Sequence, residues 1–390
     1  MHVLVEGTGG ASGWPEAGCR CASCLRTAVG GRTRKRSTVV IDGVVVLGVA
    51  GVQAPGGYRV RELADAGGGE ELGGWEVTGP DGGRLLYPAR PGAVPVPPDG
   101  AAAYDVAFLD MLGDPTQLGR LRREGLITAD TITAVAFADH RVPGEGELRR
   151  RCGFWRVLTP ADAECFTTAR SDQMGFKEFP GTARAESWRV LVMGGARSGK
   201  SEEAELRLAG EPDVTYVATG PDGAGDPEWA ARVAAHRARR PGWWRTAETT
   251  DLAAVLGSAR GAVLIDGIGT WLAAVMDECG AWDGPGDAGG TDGTGGAGGT
   301  GGAGGSAGAG GADGAARLEE RVSGVVSAWR QTRAYVVAVS DEVGLGVVPG
   351  TAAGRRFRDE LGRLNQALAA ESEEAEIVVA GRVLPLGSPG

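Results

Sequence analysis

The feature that most constrains the fold of this chain is a glycine-rich loop that directly follows an apolar run. The apolar run 189–193 leads into residues 194–201, which read GGARSGKS, and helix-forming residues follow from position 202. This is the pattern G-x-x-x-x-G-K-S of phosphate-binding loops, and it stands between a predicted strand and a predicted helix, as that motif requires. A glycine-rich turn that matched the pattern by chance would not be expected in this setting. We therefore predict a loop whose backbone N–H groups and following helix N-terminus hold a polyphosphate.

Lys200, Ser201 and Asp266 are the residues expected to handle the phosphates and their metal ion. Lys200 would bring a compact positive charge to the β and γ phosphates, and the Ser201 hydroxyl can ligate Mg²⁺. The chain has 37 arginines and only three lysines, which favours a specific role for Lys200. Asp266 directly follows the apolar run 262–265, the position of the acidic residue that helps to hold Mg²⁺ in P-loop proteins. The alternative is that Asp266 only caps the next helix. Thr270 would lie at the start of that helix, to cap it or to touch the nucleotide.

The alternation of apolar runs and helical stretches over residues 187–390 predicts an α/β domain. Buried strands separated by helices are typical of a mostly parallel sheet covered by helices, as in P-loop NTPases. The predicted strands are 189–193, 214–218, 262–265, 335–339 and 376–380, and the predicted helices are 200–209, 227–240, 250–258, 271–277, 316–332 and 352–370. Residues 284–314 hold 17 glycines. They are predicted to form a disordered insertion, because they cannot bury enough apolar surface to offset their ordering entropy.

Residues 1–170 are expected to form a separate, β-rich domain, joined to the second by a linker at 171–186. The predicted strand-like runs are 2–6, 38–47, 58–63, 75–78, 85–87, 106–109, 131–137 and 155–158. The sequence PDGG at 80–83 separates two of these runs and predicts a hairpin.

Arg232, His236 and Arg240 recur every four residues near the end of the predicted helix 227–240, so they share one helix face. One interpretation is a basic last turn that complements the helix dipole, with a solvated histidine. The other is a histidine surrounded by guanidinium groups. That arrangement suits nucleophilic attack on phosphorus, because arginines neutralise the phosphate oxygens. The spacing alone leaves both interpretations open.

Residues 187–388, outside the glycine tract, resemble the bifunctional adenosylcobinamide kinase/adenosylcobinamide-phosphate guanylyltransferase family of cobalamin biosynthesis. The resemblance rests on sequence blocks that occur in order through the whole domain. The blocks are GGARSGKS at 194–201, YVATG at 216–220, D-x-E at 226–228, HRARRP at 236–241, WRTAE at 244–248, LID at 264–266, TWL at 270–272, DEVGLGVVP at 341–349 and RRFRDELGRLNQ at 355–366.

This resemblance implies two reactions. ATP or GTP phosphorylates the aminopropanol hydroxyl of adenosylcobinamide, and GTP then donates GMP to that phosphate through a covalent GMP–histidine, with loss of pyrophosphate. The implied nucleophile is His236, which acts with Lys200 and Asp266, and Mg²⁺ would be held by Ser201 and Asp266. The implied nucleotide contacts are Gly194, Gly195, Ala196, Arg197, Ser198, Gly199, Lys200, Ser201, Ala218, Thr219, Gly220, Arg237, Ala238, Arg239, Arg240, Glu248 and Thr270.

Two features depart from the family pattern. Residues 267–269 read Gly-Ile-Gly where the family usually has bulkier residues, so the packing of the following helix is expected to differ, and the glycine tract is longer than the family needs. Two other functions are also considered: a P-loop kinase of another small alcohol without nucleotidyl transfer, and a nucleotide-binding regulatory protein whose catalysis has decayed. The intact Lys200, Ser201, Asp266 and His236 argue against the decayed protein.

The start of the chain resembles certain metallo-β-lactamase-fold hydrolases. The resemblance is carried by EGTGGASGWP at 6–15, by a cysteine motif at 19–24 and by RKRSTVVID at 34–42. The catalytic metals of that family need an H-x-H-x-D-H cluster, whereas residues 1–170 contain only His2 and His140. The resemblance therefore implies a degenerate domain without a dinuclear metal centre.

Cys19, Cys21 and Cys24 have a spacing able to hold a structural zinc ion. The alternative is three reduced cysteines without a metal. The candidates for a fourth zinc ligand are Cys152, Cys165 and His140.

Composition limits the partners and the compartment. The net charge of −10 argues against a general nucleic-acid binder, and no apolar run is long enough to span a membrane. Six cysteines are too few for a disulfide scaffold, and the first residues lack a signal-peptide pattern, so the cytoplasm is the expected compartment. The expected partner is a corrinoid substrate, adenosylcobinamide or its phosphate. The sequence does not decide whether the chain also forms a homo-oligomer.

Overall fold

The structure is a computed structural model that describes residues 1–68, 70–168, 187–220, 227–282 and 307–387. For Glu228, Trp229, Arg232, His236 and residues 307–312 it describes the backbone only. The predicted linker 171–186 and residues 284–306 of the predicted insertion lie outside the described residues.

The chain divides into two compact units. Unit 1 comprises Met1–Arg184 together with Leu206–Pro212, and unit 2 comprises Ala185–Glu205 together with Asp213–Gly390. None of the helices in the described parts of either unit combines the length and the apolar character that a membrane crossing needs.

The described residues of unit 1 contain two β-sheets and three helices with their own bounds. The strands are β1 (His2–Gly7), β2 (Thr38–Ile41), β3 (Val45–Gly48), β4 (Gly51–Gln53), β5 (Arg59–Asp65), β6 (Leu72–Thr78), β7 (Arg84–Pro88), β8 (Pro95–Val96), β9 (Val106–Leu109), β10 (Ile132–Val135) and β11 (Glu164–Thr167). The helices are α1 (Ala22–Val29), α2 (Thr116–Arg123) and α3 (Glu145–Trp155). One sheet has the order β11-β1-β2-β3-β4 and the other β10-β9-β7-β6-β5-β8.

The central strands β7 and β9 of the six-stranded sheet of unit 1 are buried on both faces, because their alternate residues join different cores. Leu85 and Phe108 belong to a core shared with the five-stranded sheet. Their neighbours Leu86 and Leu109 belong to a second core, which includes Trp155 of α3 and residues of α2. The six-stranded sheet therefore lies between the five-stranded sheet and the helices.

The predicted β-rich character of residues 1–170 is confirmed, but two of the predicted runs are wrong. The run 38–47 is two strands, because Asp42 and Gly43 take positive φ values of 50° and 72° and form a tight turn between β2 and β3. The run 155–158 is not a strand: Trp155 ends α3, and Arg156 caps that helix in the left-handed conformation. The predicted hairpin at 80–83 is confirmed, since β6 and β7 pair antiparallel around it.

From residue 187 onward the described residues form one seven-stranded sheet with helices between its strands. The strands are β12 (Trp188–Gly194), β13 (Val214–Ala218), β14 (Arg245–Glu248), β15 (Ala262–Asp266), β16 (Tyr335–Asp341), β17 (Glu374–Val379) and β18 (Arg382–Pro385). The helices are α4 (Lys200–Leu208), α5 (Pro227–Arg239), α6 (Leu252–Ser258), α7 (Ile268–Cys279), α8 (Ala307–Gln331) and α9 (Ala352–Ala370). The order is β14-β13-β15-β16-β12-β17-β18, and β18 alone runs antiparallel to its neighbour, which confirms a mostly parallel α/β sheet.

The core of unit 2 fixes the carboxyl ends of its central strands at one edge of the sheet. Leu191 of β12 and Ile265 of β15 pack in one buried cluster with Trp271 of α7, Trp329 of α8 and Leu364 of α9. The parallel register places Gly194 of β12 beside the end of β16, and it places the ends of β13 and β15 beside each other. Residues that follow these strands therefore meet at the same edge, where open α/β sheets bind ligands.

The structure corrects the end of the predicted disordered insertion. Residues 307–314 form the first turns of α8. Gly314 is buried, and a Cβ there would approach the carbonyl oxygens of Cys279 and Gly280 to 2.7 and 2.9 Å. This glycine permits close packing against the end of α7.

Candidate functional site

The predicted phosphate loop follows β12 and leads into α4, and two of its glycines have conformations or contacts that exclude a side chain. Gly199 has a φ of +98°, which favours glycine. A Cβ on Gly194 would lie 2.5 Å from Ser198 Oγ and 2.7 Å from the carbonyl oxygen of Val378. Arg197 also takes a left-handed φ of 58°. The shape of the loop is therefore fixed by its own backbone and packing.

Ser198 offers an independent test of whether this loop fits a phosphate. Its side-chain oxygen is buried, and the described residues supply no hydrogen-bond partner for it. Leaving a buried hydroxyl unpaired costs free energy, so such groups usually have a partner. A phosphate oxygen held in the loop is a suitable acceptor for this hydroxyl.

The Lys200 ammonium is held at the end of β16 by a carboxylate. Its Nζ lies 3.0 Å from Oδ1 of Asp341 and donates to the carbonyl oxygen of Gly195 at 3.1 Å. Asp341 is the last residue of β16 and stands opposite Gly194 in the pairing of β12 with β16. A bound triphosphate would compete with Asp341 for this ammonium.

Asp266 lies directly beside Ser201, and both of its carboxylate oxygens accept hydrogen bonds. Ser201 Oγ donates to Oδ1 at 3.2 Å, and the Tyr216 hydroxyl donates to Oδ2 at 2.6 Å. Burial and the adjacent Asp266 carboxylate raise the pKa of Tyr216, so its hydroxyl stays protonated and remains a donor. The N-cap of α7 is Gly267, so Asp266 is not the capping residue of that helix.

Small residues after β15 let the start of α7 approach the neighbouring strands closely. Gly267 has a φ of 113°, and a Cβ there would clash with Thr270 Oγ1. A Cβ on Gly269 would lie 2.6 Å from Oδ2 of Asp341. Thr219 and Thr270 both donate to the carbonyl oxygen of Gly267, at 2.7 and 2.8 Å. Gly267 and Gly269 therefore permit tight packing at the start of α7.

The arginines at the end of α5 have distinct partners. Arg237 donates to Glu248 Oε1 at 2.8 Å, and the Arg240 guanidinium lies 3.5 Å from the centre of the Tyr216 ring. Arg239 instead donates to Glu205 Oε2 on α4 at 2.9 Å. Arg237 and Arg240 are thus held toward the strand ends.

His236 lies on α5, one turn after Val233, and Arg240 directly follows the end of this helix. Its side chain is outside the part of the chain that the structure describes, as is the side chain of Arg232. Val233, Arg237 and Arg240 all border the same cavity. Because residues three and four apart share a helix face, position 236 lies on the face of α5 that borders this cavity.

These groups surround a cavity of about 220 Å³ at the carboxyl ends of the parallel strands. The predicted site residues that line it are Lys200, Ser201, Ala218, Thr219, Gly220, Arg237, Arg240, Glu248, Asp266 and Thr270. Further lining residues, which were not predicted from the sequence, are Tyr216, Val233, Thr246, Gly267, Val339 and Asp341. The predicted contacts Gly194, Gly195, Ala196, Arg197, Ser198 and Gly199 form the adjoining loop, whereas Ala238 and Arg239 are not among the lining residues.

One of the unassigned residues had a usable sequence signal. Asp341 follows the apolar run 335–339 closely, in the same way that Asp266 follows 262–265. Tyr216 opens the block YVATG, but its hydrogen bond to Asp266 depends on which strands are neighbours.

In unit 1 the structure brings three cysteines and one histidine together. One potential ligand atom from each of Cys19, Cys21, Cys24 and His140 lies within 4.8 Å of all the others. Burial raises the pKa of the Cys24 thiol to about 11, whereas a hydrogen bond from the backbone N–H of Cys24 lowers the pKa of Cys21. Of the three candidates for a fourth ligand, His140 is therefore the one beside the cysteines.

Comparisons with known proteins place the likeness in the second half of the chain. A family model described as cobinamide kinase/cobinamide phosphate guanyltransferase matches residues 190–386. The bifunctional adenosylcobalamin biosynthesis protein CobP of Pseudomonas aeruginosa is 36% identical over 208 residues, which are 52% of this chain and 99% of that relative. The protein of the same description named CobU from Salmonella typhimurium is 34% identical over 201 residues, which are 49% of this chain and 96% of that relative.

Proposed function

The chain belongs to the cobinamide kinase/cobinamide phosphate guanyltransferase family, and from this premise we propose how unit 2 carries out the two reactions. The protein is an adenosylcobinamide kinase and adenosylcobinamide-phosphate guanylyltransferase of cobalamin biosynthesis. The observation that carries the proposed mechanism is a single cavity bordered by the phosphate loop, by Asp266 and by the face of α5 that includes position 236.

In the kinase reaction, the loop and Lys200 neutralise the transferred phosphate. Lys200 exchanges its contact with Asp341 for the β and γ phosphates, and the unpaired Ser198 hydroxyl donates to a phosphate oxygen. Ser201 and Asp266 fit Mg²⁺, since oxygen atoms of both lie side by side and Mg²⁺ prefers oxygen ligands. Bound there, Mg²⁺ would neutralise charge that develops on the phosphates.

In the second reaction, His236 acts as the nucleophile. Its neutral imidazole attacks the α-phosphorus of GTP, so a P–N bond forms and pyrophosphate leaves. An oxygen of the substrate phosphate then attacks the same phosphorus, which breaks the P–N bond and frees the histidine. Arg237 and Arg240 neutralise the phosphate oxygens during both displacements, with Arg237 leaving its exposed pair with Glu248.

The remaining cavity residues would hold the nucleoside. Residues 218–220, at the end of β13, line this part of the cavity, and so does Thr270. Glu248 supplies a carboxylate able to accept from the N–H groups of guanine once Arg237 has moved. GTP serves the second reaction, and ATP or GTP serves the first.

The proposal is tested by incubating the full chain with adenosylcobinamide, GTP and Mg²⁺. We expect adenosylcobinamide phosphate, then adenosylcobinamide-GDP with one pyrophosphate released per molecule, both followed by liquid chromatography and mass spectrometry. Phosphate ester without the GDP product would indicate the kinase-only alternative. Nucleotide binding without any turnover would indicate the regulatory alternative.

For unit 1 we propose a degenerate metallo-β-lactamase-like origin without catalytic metals. The two sheets with helices on the outer face of one of them support that origin. Asp110 directly follows β9, and its buried carboxylate is already occupied, because it accepts from both terminal guanidinium nitrogens of Arg141 at 2.8 and 3.1 Å. It also accepts from the backbone N–H of Gly92 at 2.6 Å and of Leu112 at 3.1 Å.

We further propose that the cysteine–histidine group of unit 1 holds a structural zinc ion. Four ligands at about 2.0–2.3 Å from a tetrahedral zinc lie within about 4 Å of one another. Cys24 Sγ and His140 Nδ1 are 3.8 Å apart, close to that spacing. Zinc would also favour the thiolate of Cys24, whose pKa burial raises to about 11.

The zinc site predicts a simple metal stoichiometry. We expect about one zinc per chain in the purified protein, measured by mass spectrometry of the metal content, and a large loss in Cys21→Ser. Cys165→Ser is the matched control, because Cys165 is exposed and lies outside the group. Metal-free wild-type protein, or equal loss in both variants, would contradict the site. Thermal unfolding should shift to lower temperature with a chelator in wild type and in Cys165→Ser, but not in Cys21→Ser.

A further inference from the structure

The loop between β16 and α9 exposes three large apolar side chains within four residues. Leu345 is 82%, Val347 93% and Val348 61% exposed. Single exposed apolar side chains are ordinary, but a cluster of them marks a surface that binds something. We call residues 345–348 the apolar loop.

The first end of the apolar loop is fixed to the phosphate site. Asp341 pairs with Lys200, and the backbone N–H of Glu342 donates to the carbonyl oxygen of Gly194 at 3.1 Å. Glu342 Oε1 in turn accepts from the N–H of Gly344 at 2.7 Å. The loop therefore leaves the sheet directly at the wall of the cavity.

Its second end is fixed to the start of α9. Thr351 caps that helix by accepting from the N–H of Gly354 at 3.1 Å. Arg355 donates to the carbonyl oxygens of Pro349 and Gly350 at 3.1 and 2.9 Å. Because both ends of the loop are held by hydrogen bonds, the loop has a defined conformation, and its apolar side chains are exposed in that conformation.

In the proposed function the cavity holds the nucleotide, so it cannot also enclose the whole corrinoid substrate. Its volume is about 220 Å³, and its lining residues are the ones proposed to contact the triphosphate and the nucleoside. A corrin macrocycle is a large, mainly hydrocarbon ring that carries methyl groups as well as amide side chains. Only the side chain with the reacting hydroxyl can therefore enter beside the nucleotide, and the macrocycle must lie on the surface outside.

We infer that the apolar loop is the platform that receives the corrin macrocycle, with the reacting side chain directed past Asp341 toward Lys200. This inference rests on the proposed function, because it places the substrate of that reaction. The loop suits the macrocycle, because its exposed apolar side chains can pack against the hydrocarbon ring directly next to the phosphate site.

The test uses the double variant Leu345→Ser/Val347→Ser in the full chain. We expect at least about a 10-fold rise in KM for adenosylcobinamide, because two apolar contacts are lost. The KM for GTP, and the labelling of the protein by α-labelled GTP without corrinoid, should change by less than about 2-fold, since neither needs the platform. Val29→Ser is the matched control, because Val29 is 90% exposed but belongs to unit 1.

Three other outcomes have distinct meanings. An unchanged KM for adenosylcobinamide in the double variant overturns the platform. A changed sedimentation coefficient with an unchanged KM also overturns it and identifies the loop as a contact between copies of the chain. If wild type does not turn over the corrinoid, the proposed function fails. Equilibrium dialysis, read by corrinoid absorbance, then decides the platform by whether the double variant loses binding that wild type and Val29→Ser retain.

Discussion

Replacing His236 by alanine is expected to abolish guanylyl transfer while phosphorylation of adenosylcobinamide remains measurable. The two reactions differ in whether they need the imidazole of His236. Guanylyl transfer by way of a P–N bond needs the imidazole itself, so we expect a loss of at least about 10³-fold, as when other covalent catalysts lose their nucleophile. Phosphoryl transfer is direct and depends on positioning and charge neutralisation, and in the proposed mechanism these come from the phosphate loop in another part of the cavity.

The measurement separates the two reactions on one protein. Wild type incubated with α-labelled GTP should acquire acid-labile label, and His236→Ala should acquire none, while both form adenosylcobinamide phosphate. His2→Ala is the matched control, because His2 is an exposed histidine of β1 in unit 1. Label that persists in His236→Ala would place the nucleophile elsewhere.

Much of the sheet of unit 2 could be predicted, because its central strands are continuous apolar runs. The run 262–265 became β15 and the run 335–339 became β16, with ends within two residues. The strands β14 and β18 were not predicted, since Arg245–Glu248 and Arg382–Pro385 lie toward the edges and are mostly exposed. A half-exposed edge strand lacks the apolar run that identifies a buried one.

The helices of unit 1 were not predicted for a different reason. In α3 only Leu148, Cys152 and Trp155 are buried, at a spacing of four and three residues, among arginines and glycines. In α1 the N-cap is Cys21, whose sulfur accepts from the N–H of Cys24, and this is not a usual helix-start signal. Short helices with few apolar residues are held by the sheet that they cover more than by their own pattern.

The site shows the same division between local and long-range information. The phosphate loop is contiguous in sequence, so residues 194–201 predicted its shape and its lysine. The contacts of Lys200 with Asp341 and of Tyr216 with Asp266 depend on which strands are neighbours, and the sequence spacing does not specify this. The choice of His140 beside Cys24 is also of this kind, because the two residues are 116 positions apart.

Replacing Lys200 by alanine is expected to impair both reactions, in contrast to the change at His236. In the proposed mechanism both reactions use a triphosphate held in the same loop, and the Lys200 ammonium contacts its β and γ phosphates. Loss of one such preorganised charge typically costs about 10²–10³-fold in kcat. We therefore expect reductions of that order in phosphate ester formation and in acid-labile labelling, measured in the two assays above.

Lys200→Arg tests whether charge alone is sufficient. Nearly every other basic residue of this chain is arginine, whereas position 200 is a lysine. The Lys200 side chain is only 14% exposed and its Nζ fits between Asp341 and the carbonyl oxygen of Gly195, where a planar guanidinium has a different shape and more donors to satisfy. We expect Lys200→Arg to lose most of the activity in both assays, whereas Lys35→Ala on the exposed surface of unit 1 should lose none. Full activity of Lys200→Arg would mean that the loop needs only a positive charge, and a selective loss of the kinase reaction would mean that the two reactions hold the triphosphate in different places.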